Sequence, residues 1–221
     1  MTLRLVIANK AYSSWSQRPW VLMRHFRIPF EETVIAMSRP ETRAQMLAYA
    51  PTGKCPALVD GDVVIWETLA IVEYLAESFP QTPIWPREKP ARALARALAS
   101  EMHAGFTALR GHCPTQYRRP VRKLALTPQV EADVARIEAA WADARKRFGQ
   151  ESKMSGPFLF GAFSAADAMF APVVNRLHIY DIPVQPETRA FMQAMMALPA
   201  WKDWEAGAKE EPWSIAHYDQ I

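Results

Sequence analysis

The sequence AYSSWSQRPW, residues 11–20, lies between a predicted strand and a predicted helix. Leu3, Leu5 and Ile7 precede it, and their spacing is the period-two pattern of a half-buried strand. Residues 21–26 follow it, with apolar side chains four positions apart on one helical face. The stretch is therefore predicted to be a strand-to-helix turn.

Three hydroxyl side chains, those of Ser13, Ser14 and Ser16, lie at this turn. Ser16 is the predicted N-cap, and Pro19 is expected in the first helical turn, where a missing backbone N–H does no harm. Backbone donors and the positive end of the helix dipole converge at a helix start, which is a place to hold an anion. The alternative interpretation is that the serines only cap the helix.

The rest of the first 80 residues alternates strand and helix patterns. Asp60-Gly61-Asp62 separates two β-branched runs and predicts a hairpin. The predicted elements after the turn are a strand at 32–36, a helix at 41–50, strands at 57–59 and 63–66, and a helix at 67–79. The order is β-α-β, then a β-hairpin, then α, which predicts an α/β domain at residues 1–80.

Residues 81–90 are the predicted linker, because prolines at the density seen from Pro80 to Pro90 continue neither a helix nor a central strand. Residues 91–221 are predicted to form an all-α domain. Ser164 and Asp167 have the spacing of a capping box that begins one of its helices. Other helical patterns are one long stripe with Leu94, Leu98, Met102 and Leu109, a second from Val130 to Phe148, and shorter segments at 187–198 and 200–210.

Composition narrows the class of protein. Half of the 221 residues are hydrophobic and 22% are charged, which argues against disorder. The net charge of +3 arises from mixed basic and acidic residues without a basic block, so we expect no nucleic-acid partner. Cys55 and Cys113 form neither a disulfide framework nor a metal-ligand pattern. With no apolar run of 18 residues and no signal peptide, we expect a cytoplasmic protein with no membrane or metal partner.

Two further stretches join the serine turn as candidate chemistry. Gly53-Lys54-Cys55-Pro56 places a proline just before a strand, where a cis bond would turn the backbone of Cys55 outward towards an extended peptide. Glu67 and Thr68 begin a helix, where free N–H groups receive a carboxylate. Each piece alone is explained by capping or turn formation. Together they describe a groove for a small anionic peptide.

Four motifs at these mutual distances resemble the cytosolic glutathione transferases. They are residues 13–18 (SSWSQR), residues 54–58 (KCPAL), residues 67–71 (ETLAI) and residues 164–167 (SAAD). The resemblance covers nearly the whole chain. It implies a thioredoxin-like N-terminal domain, a helical C-terminal domain, glutathione as co-substrate, and a homodimer.

The resemblance also assigns roles to the motif residues. Lys54, Cys55 and Pro56 would hold the cysteinyl part of glutathione through the backbone. Glu67 with Thr68 would hold the γ-glutamyl group. Ser13 or Ser14 would stabilise the thiolate, and alignment of Arg18 with the arginine of a Ser-Ser-Cys-x-x-Arg signature favours Ser13.

That signature belongs to the zeta class, whereas a catalytic serine is shared with tau- and theta-like members. Trp15 stands where zeta members carry cysteine, which weakens an isomerase assignment and puts an aromatic ring at the mouth of the electrophile pocket. His103, Phe106 and Arg110 recur at helical spacing and are the candidate second wall of that pocket.

Three functions follow from the resemblance. The first is a glutathione transferase that adds the thiolate to a small, largely apolar electrophile. The second is a glutathione-dependent cis–trans isomerase of a maleyl-type acid such as maleylacetoacetate or maleylpyruvate. The third is a non-catalytic binding protein with the same fold.

Overall fold

The computed structural model describes residues 2–149 and 156–221, and it confirms an α/β part followed by a helical part. The α/β part consists of β1 (Leu3–Ala8), α1 (Ser14–His25), β2 (Phe30–Ile35), α2 (Thr42–Leu47), β3 (Ala57–Asp60), β4 (Val63–Trp66) and α3 (Thr68–Ser78). The helical part consists of α4 (Lys89–Ala104), α5 (Thr107–His112), α6 (Pro128–Ala144), α7 (Ala165–Ile179), α8 (Pro186–Ala197), α9 (Pro199–Glu210) and α10 (Ala216–Asp219). A π-helical turn at Arg145–Gly149 extends α6.

The strands form one mixed sheet in the order β2-β1-β3-β4. Strand β1 pairs in parallel with β2 and antiparallel with β3, and β3 and β4 form the predicted hairpin. The prediction of a half-buried β1 is wrong, since Val6 and Ala8 are buried as well as the alternate residues. Helix α2 causes this, because its Met46 packs on the second face of the sheet.

The start of α1 also differs from the prediction. Ser13, not Ser16, is the N-cap, and its side-chain oxygen accepts from the backbone N–H of Ser16 at 3.4 Å. Helix α1 therefore begins at Ser14, and Pro19 lies inside it rather than in its first turn. The carbonyl four residues before Pro19 consequently lacks its usual helical donor.

The predicted stripe from Leu94 to Leu109 falls on two helices instead of one. Helix α4 ends at Ala104, and Phe106 takes a left-handed conformation (φ +56°) before α5 begins. Helix α4 also begins at Lys89, inside the predicted linker 81–90. Pro90 is therefore in the first turn of α4, which tolerates proline because that N–H has no helical acceptor.

Helix α7 forms the centre of the helical part and packs against α1 and α4. Its predicted capping box is confirmed: the Asp167 carboxylate accepts from the Ser164 N–H at 2.8 Å and from the Ser164 hydroxyl at 3.0 Å. The second carboxylate oxygen accepts from the Leu159 N–H at 2.9 Å. Burial nevertheless raises the pKa of Asp167 to about 6, because desolvation outweighs these donors.

Asp167 should therefore make stability depend on pH. A raised pKa in the folded state means that the folded protein binds this proton more tightly, so its free energy of unfolding falls as pH rises from 3.8 towards about 6. Urea denaturation should show that wild type loses stability relative to Asp167→Asn across this window, with a constant difference above it. A difference that does not change with pH would contradict the raised pKa.

Candidate active site

A cleft of about 550 Å³ lies between the sheet domain and the helices. The serine turn forms its floor, with Ser13 buried and Ser14 half-buried. Its other lining residues include Tyr12, Trp15, Lys54, Cys55, Arg110, Thr115, Arg176 and Tyr218. The turn and the segment before β3 therefore meet at one site, as the sequence predicts.

Ser13 is held by the interior of the protein. Its hydroxyl shares a 2.8 Å hydrogen bond with the hydroxyl of Ser16, and the Ser16 oxygen accepts from the N–H of Ala8 at 3.0 Å. Because Ala8 ends β1, the sheet fixes the position of Ser16 and through it the position of Ser13. Ser14 is held differently, since its carbonyl accepts from the Arg18 guanidinium at 2.8 Å.

The peptide bond between Cys55 and Pro56 is cis, as expected from a proline just before a strand. Lys54 and Cys55 line the cleft, while Pro56 is buried behind them. Burial raises the pKa of the Cys55 thiol to about 12. The thiol is therefore protonated at neutral pH, and Cys55 offers a ligand its backbone rather than a thiolate.

Glu67 and Thr68 lie in a second cleft of about 250 Å³ together with Pro56. Glu67 adopts φ +72° and ψ 132°, which is strained for a residue with a Cβ, and such outliers cluster at functional sites. Its side chain is 57% exposed, and its carboxylate lies 3.8 Å from Nε2 of His103. Thr68 is buried, and its hydroxyl donates to the carbonyl of Trp15 at 3.3 Å.

Trp15 lies between the two clefts and lines both. The guanidinium groups of Arg18 and Arg110 stand 4.0 and 4.9 Å from its ring centroid, and the His103 ring is 4.9 Å away. These cation–π contacts fix the indole ring in place between the two clefts. His103 lines only the smaller cleft, whereas Arg110 lines both.

The prediction that Phe106 forms part of the pocket wall is wrong. It is buried in the core, and it lines neither cleft. The reason is the break between α4 and α5, since the left-handed residue at the break turns its side chain away from the helical stripe.

The cleft is positively charged. Arg176 is 4% exposed and donates from Nε to the carbonyl of Cys113 at 2.8 Å, and within the described residues its Nη1 has no partner. Burial lowers the pKa of Arg176 to about 10, which leaves it protonated at pH 7. Over residues 2–149 and 156–221, no carboxylate forms an ion pair with Arg18, Arg110 or Arg176.

The described part of the chain holds no group of three or more His, Cys, Asp or Glu side chains placed to bind a metal ion. It also contains no helix with both the length and the apolar character needed to cross a bilayer.

Comparison with known proteins agrees with this geometry. The family model of the glutathione S-transferase N-terminal domain matches residues 12–78, and that of the C-terminal domain matches residues 127–207. Glutathione S-transferase Z2 of Arabidopsis thaliana is 30% identical over 165 residues, which cover 69% of this chain and 68% of that protein. The chain belongs to the glutathione S-transferase family.

One further relative and one solved structure extend the likeness over nearly the whole chain. A probable maleylacetoacetate isomerase of Vibrio cholerae is 24% identical over 220 residues, covering 95% of this chain and 98% of that protein. A crystallised glutathione transferase homolog from Burkholderia with bound glutathione has a TM-score of 0.72 at 19% identity. The match covers 96% of this chain and 100% of that chain. At that identity the structural likeness shows the fold.

Sequence reasoning missed two residues of the glutathione S-transferase cleft. Arg176 and Tyr218 are not singled out by any motif, although both line the cleft. Arg176 is an ordinary member of the α7 pattern, and Tyr218 lies in the unpredicted helix α10. No local signal marks either one, because tertiary packing alone brings them to the serine turn.

The bond between Thr68 and Trp15 can be tested by a double-mutant cycle. Thr68→Val should cost about 1–2 kcal/mol, because the Trp15 carbonyl loses its donor. Pro19→Ala supplies a backbone N–H to that same carbonyl, so in its background the cost should fall by about 0.5–1 kcal/mol. Chemical denaturation of all four proteins measures the coupling, and strictly additive costs would show that Thr68 does not compensate for Pro19.

Proposed function

We propose that this protein is a glutathione-dependent transferase that acts on a small, negatively charged electrophile. The observation that carries the proposal is the pair of cleft arginines, Arg110 and Arg176, which line the cleft beside Ser13 without a carboxylate partner among the described residues. A largely apolar electrophile would leave these cations uncompensated in a partly buried site. An acidic electrophile supplies the missing charge.

Glutathione fits the remaining features of the two clefts. Glu67 offers a carboxylate to the γ-glutamyl ammonium, and the N-terminus of α3 at Thr68 offers N–H groups to the adjoining carboxylate. The backbone of Cys55 offers the partners of an extended cysteinyl residue, and Lys54 offers a cation to the glycyl carboxylate. The sulfur then falls near Ser13, in the larger cleft.

Ser13 can supply the activation that the thiol needs. A free thiol has a pKa near 8.5, so about 3% is thiolate at pH 7. Lowering that pKa by about two units takes roughly 2.7 kcal/mol. A hydroxyl bond to a charged group gives about 1.5–3 kcal/mol and a helix N-terminus about 0.3–1 kcal/mol. In this structure the Ser13 hydroxyl donates to Ser16 Oγ, which also accepts from the Ala8 N–H. To stabilise the thiolate, the Ser13 hydroxyl turns its hydrogen to the sulfur, and the Ser16 hydroxyl can then donate to Ser13.

An isomerase of a maleyl-type acid is the second candidate function. The relatives named maleylacetoacetate isomerase favour it, and the cleft arginines suit the carboxylates of such an acid equally well. In that reaction the thiolate adds to the double bond, the single bond rotates, and the thiolate leaves again. The two candidate reactions use the same residues up to the addition of the thiolate. They differ in whether the thiolate leaves the adduct again.

The thiolate assignment is tested by comparing Ser13→Ala with Ser14→Ala. Ser13→Ala should lower the conjugation rate at neutral pH on the order of tenfold to a hundredfold, because it removes most of the roughly 2.7 kcal/mol estimated above. High pH should restore much of the rate, since solvent then ionises the thiol. The pH–rate profiles decide: a shifted apparent pKa in Ser14→Ala with an unshifted one in Ser13→Ala would reverse the assignment.

The charge of the electrophile is tested with 4-chloro-3-nitrobenzoate and its methyl ester, and each kcat/KM is divided by the uncatalysed rate constant with glutathione because the ester ring is intrinsically more reactive. Wild type should prefer the acid in this normalised kcat/KM, and Arg110→Gln should reduce the acid-to-ester ratio about tenfold, as for loss of one charged contact. Arg110→Lys keeps the charge and should retain part of the preference.

A wild-type preference for the ester would contradict the charge argument. Turnover of maleylpyruvate without conjugation of either benzoate would favour the isomerase. Glutathione binding without any turnover would identify a non-catalytic protein.

A further inference from the structure

The C-terminal segment, residues 211–221, returns from the helical part to the turn that carries Ser13. The carboxylate of Glu211 accepts hydrogen bonds from the backbone N–H groups of Lys10 at 2.6 Å and Ala11 at 3.0 Å. Lys10 directly precedes the serine turn and Ala11 is its first residue. The segment therefore holds the backbone from which Ser13 projects.

Tyr12 is the second point of attachment. It is 5% exposed, and its hydroxyl donates to the Asp219 carboxylate at 2.9 Å while it accepts from the Ile215 N–H at 3.1 Å and from Arg118 Nη2 at 2.6 Å. Arg118 also donates to the carbonyl of Glu211 at 3.0 Å. The Tyr12 hydroxyl thus joins Ile215 and Asp219 directly to the serine turn. It joins Glu211 to the turn through Arg118.

Tyr218 lies at the cleft as a result of these attachments. Its ring stacks on that of Tyr12, with centroids 5.5 Å apart and an interplanar angle of 25°. Both rings line the cleft that contains Ser13. Since Asp219 follows Tyr218 directly and is anchored to Tyr12, the position of the Tyr218 ring depends on that anchor.

We propose that Tyr218 determines specificity as an aromatic wall for the body of the electrophile, and that residues 211–221 position it through Tyr12 and Asp219. This proposal rests on the proposed function, since it places the glutathione sulfur at Ser13. The cleft arginines hold the anionic end of the substrate, and the ring packs against its carbon skeleton. The preferred electrophile is therefore an acid with a planar or apolar carbon skeleton rather than a small acid without one.

Titration calorimetry with S-methylglutathione and S-benzylglutathione tests the wall without turnover, because the S-substituent occupies the place of the electrophile. Tyr218→Ala should weaken S-benzylglutathione relative to S-methylglutathione about threefold to tenfold, the range of one aromatic contact. Affinity for glutathione itself should not change. Tyr218→Phe keeps the ring and should restore the wild-type ratio, and Tyr74→Ala on α3, outside the cleft, is the control.

An affinity ratio that is the same in wild type and Tyr218→Ala would overturn the wall, as would an equal loss in Tyr218→Phe. Failure of the proposed function gives a different result. In that case wild type binds none of the three glutathione compounds.

The positioning role of the segment has its own measurement, amide hydrogen exchange. Asp219→Ala should speed exchange of the Ala11 and Ile215 amides at least tenfold and lower the S-benzyl preference, while the Leu159 amide keeps its protection. Asp203→Ala removes an exposed carboxylate that pairs with Arg24 and should change neither. Unchanged exchange at both amides in Asp219→Ala would overturn the positioning role even if Tyr218 contacts the ligand.

Discussion

The hydrogen bond from the Thr68 hydroxyl to the Trp15 carbonyl joins the two helix starts on which the site depends. Pro19 makes that bond necessary, because proline inside α1 cannot donate to the carbonyl four residues earlier. The N-termini of α1 and α3 are thereby held side by side, with Ser13 at one and Glu67 at the other. Two positive helix ends that face one groove suit a ligand with separated negative groups.

The buried arginines around this groove are costly for the stability of the fold. Buried cations are costly unless they are paired, yet Arg18 and Arg176 rest on backbone carbonyls and have no carboxylate partner in the described parts of the chain. Carbonyl oxygens compensate a guanidinium only in part, so Arg18 and Arg176 reduce the stability of the fold. Hydrophobic burial in the core around α7 offsets this loss of stability, because the side chains of α7 are buried on almost every face.

Local features were predictable from the sequence and long-range ones were not. The hairpin around Gly61, the cis bond before Pro56 and the capping box at Ser164 each depend on residues within a few positions of one another. The choice of Ser13 over Ser16 as N-cap was not predictable, because it is set by the bond between Ser16 and β1. The placement of Phe106 and Tyr218 depends on how α4 breaks and where the C-terminal segment returns, which no periodicity records.

The half-buried thiol of Cys55 has a consequence for contact with glutathione disulfide. Thiol–disulfide exchange requires a thiolate, and burial raises the pKa of Cys55 to about 12, so this thiol is protonated at pH 7. Desolvation therefore suppresses the reactivity of a sulfur that borders the proposed glutathione groove.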